Sequence, residues 1–301
     1  VAGTVRVPLA IVGAGALGLH FAARLAAVVP VVPVALIARD ADGAARLRAG
    51  VAVGGEPFRP QAFAAEQAPQ ADWVIVLVKA GDTAAAAVTA ARLHPLGVLS
   101  LQNGLTVDLL RAHCDAPRVE QGITTEGAYR DEAGVHPSGA GETLVPPGFE
   151  PVAAMLAAAG LRTRVEAAIG AARLAKLLVN VAINPLAALH RVRNGALLDA
   201  PLQAQLDALV REAWPVLRAE GLALDEGEAL ARVHTVAQAT ATNRASMLQD
   251  VLAGRRTEID AITGALLAMA ARQQRSLPLH EALFRQLRAL EASGRNSPHF
   301  G

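Results

Sequence analysis

The sequence predicts an α/β protein in two parts, a parallel sheet wrapped by helices and then an all-helical half. Two observations carry this. Short continuous apolar runs alternate with helical periodicity through the first half of the chain, which implies crossover-connected parallel strands buried on both faces. After about Gly170 the pattern is helical almost throughout. The chain has 301 residues, enough for two domains, and we place these at 1–168 and 169–301.

Taken in order, Pro8 to Val12 is an apolar run with a β-branched end that stops at Gly13. From Ala16 to Val28, Leu17, Phe21, Leu25 and Val28 recur at helical spacing. Val34 to Ala38 reads as a second strand and Gly43 to Ala49 as a short helix. Trp73 to Val78 is a third strand, Thr83 to Leu93 an Ala-rich helix, and Val98 to Leu101 a further buried strand ending at Gln102-Asn103-Gly104. Val119 to Val145 reads as extra strands, antiparallel at the sheet edge, broken by Pro146, Pro147 and Gly148. Pro151 to Ala159 is a helix and Arg162 to Val165 a last strand.

Composition narrows the function. Hydrophobic residues make up 52% of the chain, so a large core can be buried. The net charge is +1 and aromatics are 3%, which gives no reason to expect a nucleic-acid partner. One cysteine, Cys114, forms no internal disulfide and suggests a reducing compartment without a Cys-based metal site. The run from Val7 to Leu19 has signal-peptide hydropathy but the wrong glycine spacing. The run from Ala26 to Ala38 holds Pro30 and Pro33 and is too short to span a bilayer. A soluble, cytoplasmic protein with no membrane partner is the expectation.

Residues 13–18 read Gly13-Ala14-Gly15-Ala16-Leu17-Gly18, a G-x-G-x-x-G pattern between a strand and a helix. Gly13 permits a tight turn, Gly15 lets the backbone approach a pyrophosphate, and Gly18 allows close helix–strand packing. The helix N-terminus adds free N–H donors and partial positive charge. This predicts a Rossmann-type dinucleotide-binding domain followed by an all-α C-terminal domain. Arg39 follows the second strand, where an NAD enzyme commonly has an acid. A guanidinium can pair bidentately with a 2′-phosphate, so NADP(H) is favoured, although Asp40 is adjacent and a solvated surface arginine would look the same.

Of 28 Lys plus Arg, only Lys79 and Lys176 are lysine. Lysine offers a transferable proton where guanidinium does not, so both positions draw notice. Lys176, Asn180 and Asn184 fall four apart and form one polar stripe on an otherwise apolar helix. Burying such a stripe unpaired costs several kcal/mol, so it should face something polar. Pro185 is expected to kink or end that helix near Asn184. Asn243, Ser246 and Asp250 have spacings compatible with one helical region, but taken alone they read first as surface or capping residues. Thr257 could cap a helix whose first turn holds Glu258, a position the helix dipole favours without any catalytic role.

Together these motifs resemble ketopantoate reductase, also called 2-dehydropantoate 2-reductase. The resemblance rests on GAGALG, VKA at 78–80, LQNGL at 101–105, KLLVNVAINPLAAL at 176–189, ASMLQDV at 245–251 and EID at 258–260. It implies NADPH-dependent reduction of ketopantoate to pantoate, in pantothenate and coenzyme A synthesis, in a cleft between the two domains. It further implies that Lys176 is the general acid and Glu258 a second essential polar residue. Asn103 matches a residue beside the nicotinamide that serves both cofactor and substrate, and Lys79 a lysine near the cofactor. Asn180, Asn184, Asn243 and Ser246 match substrate-binding positions, and no metal is implied. Two other readings stay open: a reductase of a different 2-keto or imino acid, and a non-enzymatic NADPH-binding regulator. Apolar helical surface in the second half is compatible with a homodimer or with a larger internal core.

Overall fold

A computed structural model describes residues 5–28, 33–139 and 141–295. Pro30, singled out above, lies outside the described residues. The chain separates into two compact units, Val1–Ile169 and Gly170–Gly301.

The first unit opens with β1 (Arg6–Val12), α1 (Ala16–Ala26), β2 (Val34–Ala38) and α2 (Ala41–Ala49). Three short strands follow, β3 (Val51–Val53), β4 (Glu56–Phe58) and β5 (Gln61–Ala64). Next come β6 (Gln70–Val76), α3 (Thr83–Arg92), β7 (Gly97–Ser100), α4 (Val107–His113) and β8 (Val119–Gln121). The main sheet has the order β5-β2-β1-β6-β7-β8, and its strand pairs are all parallel. The chain builds outward from β1 to one edge and then returns to build outward from β6 to the other. The reversal lies where β1 meets β6, and ligands of open α/β sheets bind outside the carboxyl ends of strands at such a point.

Strand residues alternate between the two faces, and both faces are apolar. Leu9, Ile11, Leu36, Ile75 and Leu99 pack with Leu19, Phe21 and Leu25 of α1. Ala10, Val12, Ile37, Val74, Val76 and Val98 pack with Ala86, Ala87 and Ala90 of α3 and Leu110 of α4. Double-sided burial is why these strands read as continuous apolar runs.

The region from Val119 to Val145 supplies the expected extra strands, with an edge strand and antiparallel pairs, but not in one sheet. β8 joins the main sheet parallel to β7, because α4 supplies the crossover that a parallel return needs. β9 (Ile123–Thr124), β10 (Ala128–Asp131), β11 (Gly134–Pro137) and β12 (Thr143–Val145) leave that sheet. β10 and β11 form an antiparallel hairpin in a sheet ordered β10-β11-β3-β4. β12 pairs with β9 and, beyond α5 (Glu150–Ala158), with β13 (Thr163–Val165).

The second unit is helical: α6 (Ile169–His190), α7 (Leu202–Ala219), α8 (Glu226–Ala239), α9 (Ser246–Leu252), α10 (Ala265–Arg272) and α11 (Pro278–Arg295). A single π-helical turn, Asp260–Gly264, leads into α10. Asp225 and Glu228 start α8 with a reciprocal capping box. By length and hydropathy α6 could cross a bilayer, but 56% of its apolar window is buried inside the protein. α6 runs through Pro185 to His190, so the proline does not end it. Proline removes one backbone donor, and buried Val181, Ala182, Ile183, Leu186, Ala187 and Ala188 hold the helix together around that gap.

Candidate functional site

In the first unit, the marked residues gather at the carboxyl ends of the parallel strands. β1 ends at Val12, and Gly13 follows with φ +122°, a conformation open to glycine. A Cβ there would stand 2.7 Å from the Leu77 carbonyl carbon. Gly18 lies so close to the Gly13 carbonyl oxygen that a side chain on it would overlap that atom. Gly15 differs, since a Cβ on it would meet nothing within 4 Å. That open space lies at the N-cap of α1, whose first turn carries no acid. The first amides of the helix, at Ala16, Leu17 and Gly18, have no partner within the helix. Gly15 with the Ala14-to-Gly18 backbone therefore forms an anion cradle that a side chain would fill, and a pyrophosphate fits it.

Arg39 directly follows β2, with its side chain 82% exposed, and its Nη2 donates to Asp82 Oδ2 at 3.0 Å. Asp40 is committed elsewhere. It caps α2, accepting at Oδ1 from the Gly43 amide at 2.6 Å. The acid that could have bound a ribose 2′-OH is thus engaged, while the exposed guanidinium can reach a phosphate.

Lys79 precedes a 3₁₀ turn, Ala80–Asp82, after β6, and Asn103 lies in the bend after β7. A buried polar network ties these loops together. Gln102 Nε2 donates to the Val78 carbonyl at 3.1 Å and to Thr83 Oγ1 at 2.9 Å. Its Oε1 accepts from the Ser100 hydroxyl, which also meets the Thr106 hydroxyl, both at 3.1 Å. Gln121 Nε2 donates to the carbonyls of Gln102 and Gly104, and its Oε1 accepts from the Thr106 amide. Sequence reasoning missed Gln102, Gln121, Ser100, Thr83 and Thr106. The available signal was Gln102 itself, inside the LQNGL segment at the end of an apolar strand.

In the second unit, Lys176, Asn180 and Asn184 are each partly exposed, while Leu177, Leu178, Val181, Ala182 and Ile183 beside them are buried. The stripe is a polar seam in a buried helix. Burial pushes the Lys176 ammonium down to about 8, and the negative charge of Glu258 opposes that shift. The residue as a whole is only partly exposed, and desolvation is the larger of the two influences on the ammonium. Glu258 is itself buried. It sits in the turn before the π-helical segment, where Thr257 Oγ1 accepts from the Ile259 amide at 3.2 Å. The Thr257 amide in turn donates to Glu291 of α11. Glu291 is a further residue that sequence reasoning missed.

Ser246 and Asp250 share α9, and Asn243 lies outside it. Asn243 is exposed in the turn before α9, its amide donating to the Thr240 carbonyl at 2.8 Å, and its carbonyl accepts from the Asn194 amide. Ser246 is the exposed first residue of α9, and Asp250 is buried, accepting from Arg255 Nε at 3.1 Å. The break comes from Ala245, whose extended backbone starts the helix there.

The family models and the curated relatives agree on one family. The model for "Ketopantoate reductase PanE/ApbA" matches residues 9–148, and that for its C-terminal domain matches residues 168–291. The 2-dehydropantoate 2-reductase of Halobacterium salinarum is 37% identical over 235 residues, covering 74% of this chain and 77% of that protein. The Archaeoglobus fulgidus enzyme of the same name is 36% identical over 232 residues, covering 73% and 77%. Among solved structures, a PanE/ApbA family ketopantoate reductase from Ralstonia eutropha superposes with TM-score 0.81 at 28% identity, covering 97% of this chain and all of that one. A D-mandelate dehydrogenase complex with NADH and anilino(oxo)acetate reaches TM-score 0.85 at 22% identity, covering 97% and 100%, a likeness of fold.

Proposed function

This chain belongs to the ketopantoate reductase family, and we propose that it reduces ketopantoate to pantoate with NADPH, using Lys176 as the general acid. The observation that carries the acid assignment is the Lys176 ammonium. Its pKa of about 8 leaves it mostly protonated at neutral pH, yet able to give up the proton.

When bound, NADPH supplies the hydride that reduces the keto carbon. The Gly13–Gly18 turn holds the pyrophosphate, Arg39 takes the 2′-phosphate, and Lys79 and Asn103 line the cofactor. Lys176 stabilises the negative charge developing on the ketone oxygen and delivers a proton there, a contribution of about 10²–10⁴-fold. Glu258 keeps the lysine protonated and holds substrate hydroxyls. Asn180 and Asn184 orient the hydroxyl and carbonyl groups, while Asn243 and Ser246 receive the carboxylate end. The product feeds pantothenate and coenzyme A synthesis in the cytoplasm. A homodimer is the expected assembly, and a ketopantoate reductase from Staphylococcus aureus described as dimeric shares the fold at TM-score 0.79.

The test is oxidation of NADPH with ketopantoate, run beside pyruvate and 2-ketoisovalerate, with NADH as the cofactor control. Fast turnover confined to ketopantoate and NADPH is the expected result. Preference for another keto acid overturns the substrate and the pathway. Tight NADPH binding with no turnover on any of them overturns the enzyme reading.

A further inference from the structure

We propose that Gln121 is a positioning residue for Asn103, fixing the backbone that presents this side chain to the nicotinamide half of the cofactor; the proposal rests on the reductase reading above. Gln121 is the last residue of β8 and is 2% exposed. Its amide spends every group on one loop. Nε2 donates to the Gly104 carbonyl at 2.7 Å and to the Gln102 carbonyl at 3.3 Å, the two carbonyls on either side of Asn103. Oε1 accepts from the Thr106 amide at 3.2 Å.

Residues 101–106 belong to no helix or strand, and Gly104 has φ +73°. Backbone bonds tie the loop's two ends, Leu101 to Val76 and Thr106 to Leu110, and side-chain hydrogen bonds hold the residues between. An apolar residue would fill the same space at the end of β8 without the cost of burying an amide. A fully satisfied buried amide instead selects one loop conformation. Gln102 extends the clamp to the Lys79 loop through Val78 and Thr83.

Sheet order gives the direction. Arg39 marks the adenosine ribose at the end of β2, on one side of β1. β6 and β7 lie on the other side, so a dinucleotide crossing the switch point carries its nicotinamide half toward the loops after these strands. Asn103 follows β7.

Gln121→Met keeps the side-chain length and removes all three hydrogen bonds. Three readouts are compared with wild type: kcat for keto-acid reduction, the Kd for NADPH, and the Kd for adenosine bisphosphate carrying the 2′- and 5′-phosphates, which lacks the nicotinamide. The expected result is a fall in kcat of about tenfold or more and weaker NADPH binding, since small misplacements at a reacting centre are costly. Binding of the adenosine bisphosphate stays within about twofold, because its contacts lie at Arg39 and the glycine turn. Parallel loss of both ligands would make Gln121 merely structural and overturn the proposal, as would unchanged kcat and NADPH affinity. If the methionine variant does not fold, Gln121→Asn, one methylene short of the carbonyls, is read against the same outcomes. Lack of keto-acid turnover by the wild type sinks the reductase reading alone, because the two binding measurements still report on the clamp.

Discussion

The Thr257 amide donates to Glu291 Oε1 at 2.7 Å, so the last helix fixes the turn that carries Glu258. Arg288 Nη1 holds the other carboxylate oxygen of Glu291 at 3.2 Å. Glu291→Ala leaves a buried amide without its acceptor and should cost about 2 kcal/mol, the range for charge-assisted hydrogen bonds. Urea unfolding should show a lower midpoint with an unchanged slope. An unchanged midpoint would mean that the turn is held by something else.

Glu258 and Lys176 set the pH response. Burial lowers the lysine to about 8 and Glu258 works against that shift. The rate of keto reduction should therefore fall on the alkaline side, near pH 8, as the acid loses its proton. Glu258→Gln removes the charge that favours the ammonium, so the alkaline limb should move to lower pH. A pH profile of kcat/KM for both proteins checks this. A limb that stays in place would assign it to another group.

Two glycines of the turn, Gly15 and Gly18, should respond differently to alanine. Space beside Gly15 is open, so Gly15→Ala should melt near the wild-type temperature while binding NADPH far more weakly. Gly18→Ala drives a methyl into the Gly13 carbonyl and should cost about 1–3 kcal/mol, the range for overpacking. Melting curves and NADPH titrations separate the two effects. Equal loss of stability in both variants would count against the cradle at Gly15.

Arg39→Ala tests cofactor choice. Charged hydrogen bonds to a phosphate are worth about 1.5–3 kcal/mol, so NADPH affinity should fall by about 10–100-fold. NADH has no 2′-phosphate, and its affinity should hold. The exposed Arg39–Asp82 pair contributes at most about 1 kcal/mol, so stability should change little. Equal losses for both cofactors would remove Arg39 from the phosphate site.

Much of the fold was legible because burial on both sheet faces leaves apolar runs such as Trp73 to Val78. Short elements were not. β3 and β4 have three residues each, too few to show a period, and Pro57 interrupts one of them. α4 was missed at only seven residues, and with it the parallel placement of β8. The polar seam of Lys176, Asn180 and Asn184 stood out because amides at helical spacing are conspicuous in an apolar helix. Pro185 does not end α6, because packing around the helix outweighs one missing hydrogen bond. Gln121 and Glu291 gave no signal, since a lone buried amide or carboxylate acquires meaning from partners that only the fold brings near.

The most direct test of the account is the turnover of Lys176→Ala with ketopantoate and NADPH, measured beside its NADPH affinity. The account predicts that the rate collapses by about 10²-fold or more while the cofactor binds as in wild type. Near-normal turnover in that variant would contradict it, because the proton would then come from elsewhere.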